Sequence, residues 1–381
     1  MDKETRHYLV QLLSGWPDGP PPGEVSPAAA DEARAALLAH RVAGAVDHLV
    51  PKAWRDAAWQ TEVAQWLNRS GFLLMELERI LPTLTRGDCR PVVLKGAALA
   101  CGHYRDPLWR QFLDLDILVP RDRVEEATKR LIACGYEIWA GPRDPLYYDR
   151  YHLHRILRGP QGSLVEIHWD LTMPGSVYGF DVAGVFDRAV DVPVGRTTLS
   201  AAAAVDQVLH SVYQHIADGF VDLKRILDLK VLLQTLPEGD WLYLVKESER
   251  TQMGPALKEL LYIMKELTGL EVPDQAASLP GAGPVSGRVL RGLDLPTGLL
   301  ERRAAHSTIY LPLLHFLLVP GLLNKVTEYG KFLWPGEARL LARGYWHDQL
   351  PGPAARLRLA LYNLKLFAGL CGQSVRAWVR G

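Results

Sequence analysis

The chain has 381 residues, 48% hydrophobic and 23% charged, and its 43 basic and 43 acidic residues cancel to a formal net charge of zero. That length supports two or three domains with cores of their own, and that balance leaves no global field to attract nucleic acid or an anionic membrane. The four cysteines, Cys89, Cys101, Cys134 and Cys371, have no C-x-x-C spacing, which argues against a zinc ribbon or a disulfide framework and fits a reducing compartment.

Residues 8–13 are apolar, and Pro and Gly crowd Trp16 to Gly23 into a loop. A helix is expected from Ser26-Pro27 through Leu37, Leu38 and Val42, with proline in its first turn. A longer one is expected over roughly Trp54 to Leu84, where Val63, Trp66, Leu67, Phe72, Leu73, Leu74, Leu77 and Ile80 recur near helical spacing. Residues 1–85 thus read as an N-terminal helical region. No uninterrupted apolar run follows Met1, so no signal peptide is expected.

The pattern changes after the Gly87-Asp88 turn. Pro91 to Leu94 reads as a short apolar strand ending at Lys95-Gly96, Ala97 to Tyr104 as a helix, and Arg105-Asp106-Pro107 as a turn. Next comes Arg110-Gln-Phe-Leu-Asp-Leu-Asp-Ile-Leu-Val119, which alternates as a half-buried strand does and stops at Pro120. A helix is expected from Arg121 to Cys134 with Gly135 after it, then a strand over Tyr136 to Trp139. Tyr151 to Leu157 and Leu164 to Trp169 read as a hairpin across Gly159-Pro160-Gln161-Gly162. This order predicts a small mixed α/β sheet over residues 86–199.

From Ser200, read as an N-cap, helices are expected through Ile216 and at about 222–235, 240–250 and 254–268. The remainder to Gly381 is apolar and mostly helical, so 200–381 reads as a C-terminal helical region. Ile309 to Leu323 is the longest apolar stretch, but Pro312, His315, Pro320 and Gly321 interrupt it and it is short for a membrane span. A cytoplasmic location is therefore expected. After Asp348 there is no acidic residue, while Arg356, Arg358, Lys365, Arg376 and Arg380 alternate with apolar side chains. A core-packing helix with a basic outer face is favoured there over a membrane-touching one.

The chemistry concentrates on the strand through Asp114 and Asp116. Side chains two apart on a strand share a face, so the two carboxylates stand together while Leu113, Leu115 and Ile117 face a core. Like charges side by side are costly to desolvate, and a divalent cation is the most economical compensation. Glu166 and His168 share one face of Leu164 to Trp169, so Glu166 is placed to complete an oxygen cage with the two aspartates. Lys95-Gly96, at a strand end leading into a helix, suits phosphate: glycine lets the backbone approach, and helix N-terminal amides favour negative charge. Arg110 would meet a phosphate or pair with an aspartate.

These residues resemble a known pattern. Leu-Lys-Gly96, Arg110-x-x-x-Asp114-Leu-Asp116-Ile-Leu-Val, Gly135-Tyr136 and Glu166-Ile-His168-Trp169 are similar to the uncharacterised nucleotidyltransferase family of bacterial biosynthetic clusters, within the DNA polymerase β-like superfamily. The resemblance is specific over about residues 90–170 and extends more weakly to Leu209-His210 through Asp228. It implies an α+β fold, a minimal nucleotidyltransferase core flanked by helical regions. It also implies that Asp114, Asp116 and Glu166 hold Mg²⁺ and that Gly96 belongs to the nucleotide-phosphate loop, with Lys95 and Arg110 facing the nucleotide. The co-substrate would be an NTP, with ATP the first choice, and the acceptor a small molecule or peptide. Ala97 departs from the superfamily, which usually has Gly or Ser there, and the gap from Gly96 to Asp114 is long for it.

Three other readings compete. A catalytically silent protein keeping this fold to bind a biosynthetic peptide or enzyme partner is the alternative to catalysis. His152, His154 and His168 offer a zinc site, although no H-E-x-x-H spacing supports it, and His168 is favoured instead as orienting Glu166 or packing under the sheet. Arg225 and Asp228, three apart on one helix, read as a structural pair, whereas His210 and His215 are five apart and do not share a face. The P-loop and G-x-S-x-G patterns are absent from the sequence.

Overall fold

The computed structural model describes residues 1–86, 89–139, 148, 150–302, 310–334, 336, 337, 340, 350–362, 364 and 365. The expected Gly87-Asp88 turn and the positions of Arg376 and Arg380 lie outside these described residues.

Capping side chains set the first helices. Asp2 accepts from the Thr5 amide at 2.7 Å and opens α1 (Lys3–Gly15), which contains the apolar residues 8–13. Ser26 caps α2 (Pro27–Ala39), and a short α3 (Ala43–Val46) follows. Asp56 accepts from the Trp59 amide at 2.9 Å and opens the long α4 (Ala57–Leu84).

The central segment builds one mixed sheet. Its elements are β1 (Val92–Val93), α5 (Lys95–Gly102), β2 (Leu115–Leu118), α6 (Val124–Ala133), β3 (Glu137–Ile138), β4 (His154–Arg158), β5 (Leu164–His168), α7 (Val182–Arg188), β6 (Val190–Val194) and β7 (Thr197–Ala201). The order across the sheet is β3-β4-β5-β2-β1-β7-β6. β2 runs parallel to β5 and β1 parallel to β7, and the other pairs are antiparallel. The fold is α+β, with the sheet flanked by helices.

Two expectations fail here. β2 begins only at Leu115, because a 3-10 turn at Pro107–Trp109 leads into irregular chain up to Asp114. Leu113 is consequently exposed (39%), not buried with Leu115 and Ile117. Ser200 caps no helix, since it lies inside β7, where it pairs with Asp191.

The remaining helices are α8 (Ala204–Asp218), α9 (Leu223–Gln234), α10 (Glu238–Arg250), α11 (Gly254–Thr268), α12 (Pro284–Gly292), α13 (Leu295–Leu300), α14 (Tyr310–Leu318) and α15 (Leu322–Leu333). Helices from both ends of the chain share one core: Leu9, Trp16 and Leu37 are buried together with Ile216, Leu229 and Leu257. Lys230 ties the two ends, its buried ammonium donating to the carbonyls of Leu13 and Ser14 at 2.7 Å and to that of Trp16. A second core lies under the sheet, where Leu73, Leu77 and Ile80 of α4 meet Leu115, Ile117 and Val165.

Among the described residues no helix is long and apolar enough to cross a membrane. The described part of the tail does not pack as expected, for Leu357, Leu361, Tyr362 and Leu364 are all exposed.

Candidate functional site

Strand register assembles the site. Asp116 on β2 stands opposite Glu166 on β5, and His154 on β4 stands opposite His168 on β5. Glu166 and His168 share the sheet face opposite Val165 and Ile167, both fully buried in the core. One face of the sheet therefore carries a row of imidazoles and carboxylates, and the other is apolar.

The row is connected. Lys95, at the start of α5, donates to Asp116 Oδ1 at 2.7 Å, and His168 Nε2 donates to the same oxygen at 2.9 Å. Glu166 Oε2 lies 3.2 Å from His168 Nε2 and 3.1 Å from His154 Nδ1. Burial raises the Asp116 carboxyl, but Lys95 and His168 outweigh it and hold the group well below the usual carboxylate range. Burial disfavours charge on Lys95 and His168 too, yet the carboxylates around them raise both. His154 moves the other way: burial, with the His168 and Lys95 charges beside it, pushes it far down, so it is neutral. His168 was expected to orient Glu166 or pack under the sheet; it contacts Glu166, and its hydrogen bond to Asp116 was not foreseen.

Asp114 is different. It precedes β2, and among the described residues its carboxylate makes no hydrogen bond or ion pair. Burial first, then the charges of Asp116 and Glu166, raise it to about 6. A carboxylate ionised at such a cost fits a cation beside it. Among the described residues, however, the ligand atoms that come within 4.8 Å of one another belong to His154, Glu166 and His168, so the expected triad of Asp114, Asp116 and Glu166 is not gathered into one such group.

Asp114 and Asp116 line a cavity of about 180 Å³ together with Lys95, Gly96 and Arg110. Glu166 is not among the lining residues; it reaches this group only through its register position next to Asp116. The opposite wall comes from α8 and α9. Gln207, His210, Ser211 and Gln214 face in from the first, and Asp222, Lys224, Arg225 and Asp228 from the second and the turn before it. Burial, reinforced by the Lys95 charge, holds His210 neutral. Burial, then the Arg110 charge, lowers Lys224, whose ammonium is 3.9 Å from Asp222.

Arg110 pairs with an aspartate, but with Asp228 and not with Asp114 or Asp116 as expected. Its Nε donates to Asp228 Oδ1 at 2.5 Å and its Nη2 to Oδ2 at 2.7 Å, while Tyr104 donates to Oδ1 at 2.8 Å. This buried fork joins the sheet to α9 and overturns the expected Arg225–Asp228 pair; Arg225 bonds Asp218 instead. A partner 118 residues away in sequence could not be read from spacing along one helix.

Gly96 is required by packing, since a Cβ there would sit 2.6 Å from the Phe112 Cβ. Ala97 is buried in the core under the sheet, so its methyl faces apolar side chains. Lys95 holds a left-handed backbone with φ +47°, uncommon for a residue with a side chain.

Sequence reasoning missed the α8 and α9 wall. The signal was present: Gln207, His210, Ser211 and Gln214 recur at three- and four-residue steps on an otherwise apolar helix.

A family model described as uncharacterised nucleotidyltransferase matches residues 22–269, a span that contains every residue lining the cavity. No curated protein matches the chain.

Proposed function

The chain belongs to this uncharacterised nucleotidyltransferase family, and from that premise we propose that it transfers a nucleoside monophosphate from an NTP, ATP first among them, to a small-molecule or peptide acceptor. The observation that carries the reading is the Asp114 carboxylate, raised by burial and its carboxylate neighbours and without a hydrogen bond or ion pair among the described residues, beside Asp116 on the wall of a cavity that also presents Lys95 and Lys224. Bacterial origin, membership of the DNA polymerase β-like superfamily, a biosynthetic-cluster setting and a cytoplasmic location belong to the same proposal.

Mg²⁺ held by Asp114, Asp116 and Glu166 would neutralise triphosphate charge and polarise the α-phosphate. The protein's own contribution is positional. Lys95 keeps Asp116 ionised and aligned, His168 braces the same carboxylate, and α5 begins beside the cavity with no side chain capping its first amides, which suits a phosphate there. Lys224 is the cation with the weakest internal partner, which leaves it for the polyphosphate. At about 180 Å³ the cavity is smaller than the roughly 300–1,000 Å³ that whole small molecules occupy, so it takes the polyphosphate and leaves the base near its rim. An acceptor oxygen bonds to the α-phosphorus as the bond to pyrophosphate breaks.

The test is to incubate the protein with each NTP, Mg²⁺ and candidate acceptors. Pyrophosphate release and an acceptor heavier by one nucleotide are expected, both lost in Asp116→Ala. Absence of any Mg²⁺-dependent NTP binding would overturn the reading.

One observation favours the catalytically silent alternative. Lys95 and Arg110, the cations expected to face phosphate, are both paired with carboxylates, and Ala97 offers no hydroxyl. Partner capture unchanged by Asp114→Ala plus Asp116→Ala, without nucleotide transfer, would establish it.

A further inference from the structure

His154 takes no part in the chemistry proposed above, yet it is aimed at the centre of the polar row. Its Nδ1 lies 3.1 Å from Glu166 Oε2 and is buried there without hydrogen-bond geometry to any partner. His168 Nε2 approaches the same oxygen at 3.2 Å and also reaches Asp116 Oδ1 at 2.9 Å. One donor atom each from His154, Glu166 and His168 thus falls within 4.8 Å of the others, while Asp116, 2.9 Å from His168 Nε2, stays outside that group.

These separations are those of a coordination shell. Bonds of about 2.0–2.2 Å place neighbouring donors of a tetrahedral ion about 3.3–3.6 Å apart, and of an octahedral one about 2.9 Å, which brackets the observed contacts. The donor chemistry then selects the ion. Mg²⁺ prefers oxygen ligands and retains water, whereas two imidazoles with one carboxylate suit a first-row transition ion. The donors sit on two adjacent strands, β4 and β5, so the sheet's own hydrogen bonds hold them in place.

We propose that His154, Glu166 and His168 form a transition-metal site for Zn²⁺ or Mn²⁺ beside the Asp114 side that opens to the cavity, sharing Glu166 with the Mg²⁺ position proposed above; ion entry there releases the proton that His168 Nε2 donates to Asp116. His154, Glu166 and His168 do not line the cavity, whereas Asp114 and Asp116 do. The site needs no nucleotide transfer to exist: ion uptake is measured on the protein alone, so its failure and that of the transferase reading are distinguishable.

The full chain is stripped with chelator, then titrated with Zn²⁺ and, separately, Mn²⁺ in excess Mg²⁺. Calorimetry and metal analysis after gel filtration follow uptake. One Zn²⁺ or Mn²⁺ per chain is expected despite the Mg²⁺. His154→Ala should weaken it at least about tenfold, the smaller end of what losing even a supporting contact costs a metal site. Uptake that Mg²⁺ abolishes, or equal affinity in wild type and a folded His154→Ala, overturns the proposal. If that variant fails to fold, pulsed EPR of the Mn²⁺-loaded wild type decides: nitrogen hyperfine coupling from bound imidazole supports the site, and its absence refutes it.

Discussion

Replacing Asp114 with Asn should make the metal-free protein more stable while removing its nucleotide-linked function. In the folded chain burial and the neighbouring carboxylates raise this carboxyl from 3.8 to about 6. Two units at about 1.36 kcal/mol each set a ceiling of about 3 kcal/mol on the cost of ionising it at pH 7. Asp114 is only partly buried, so we halve this to about 1–2 kcal/mol. The folded group binds its proton more tightly than the unfolded one. Its effect on stability is therefore nil below about pH 4, grows as pH rises through 4 to 6, and is a full penalty above that. Asn behaves like the protonated acid at every pH. Thermal or urea denaturation in chelator at pH 4 to 8 should show the variant gaining on wild type as pH rises, by about 1–3 °C at pH 7. Added Mg²⁺ should close that gap by stabilising wild type alone. A variant less stable than wild type at pH 7, or a pH-independent difference, would refute the reasoning.

Breaking the Arg110–Asp228 fork by Arg110→Met should cost about 3–5 kcal/mol, because Asp228 is left charged and buried; combining it with Asp228→Leu should recover much of that, and additive urea-denaturation losses would count against the pair. Gly96→Ala should destabilise by about 1–3 kcal/mol, and Phe112→Leu should not rescue it, because the clashing atom is the Phe112 Cβ that leucine retains. Lys95→Gly should be more stable than Lys95→Ala by about 1 kcal/mol, since both lose the ammonium but only alanine keeps a left-handed backbone with a side chain; equal midpoints in denaturant would show no strain there.

What could be read from the sequence was local. The alternation around Asp116 and Glu166 was strong because Leu115, Ile117, Val165 and Ile167 all face one core, and that period placed the polar residues on the other face. Where local rules competed, the reading failed. Pro193 sits within β6, an edge strand that tolerates a missing amide, and the run Ser200–Ala204 looks helical although its first two residues complete β7. The partner of Arg110 was beyond reach because a buried guanidinium takes whichever carboxylate the tertiary fold brings, here one on α9.

The same tertiary constraint explains why the two aspartates, alike in sequence, have opposite electrostatics. Asp116 is inside β2, so register hands it His168 from the parallel neighbour, and the left-handed turn at Lys95 brings it an ammonium. Asp114 lies one residue before the strand begins, where no ladder delivers a partner, and it lines the cavity with only the Lys95 and Lys224 charges to offset it in part. Two identical carboxylates with a satisfied and an unsatisfied environment divide the work that a symmetric pair could not. The satisfied one stays ionised and fixed at neutral pH, while the unsatisfied one concentrates the demand for a cation at the cavity wall. Any ligand that answers Asp114 must therefore be positively charged or bring a cation with it, and a triphosphate accompanied by a divalent ion meets that condition.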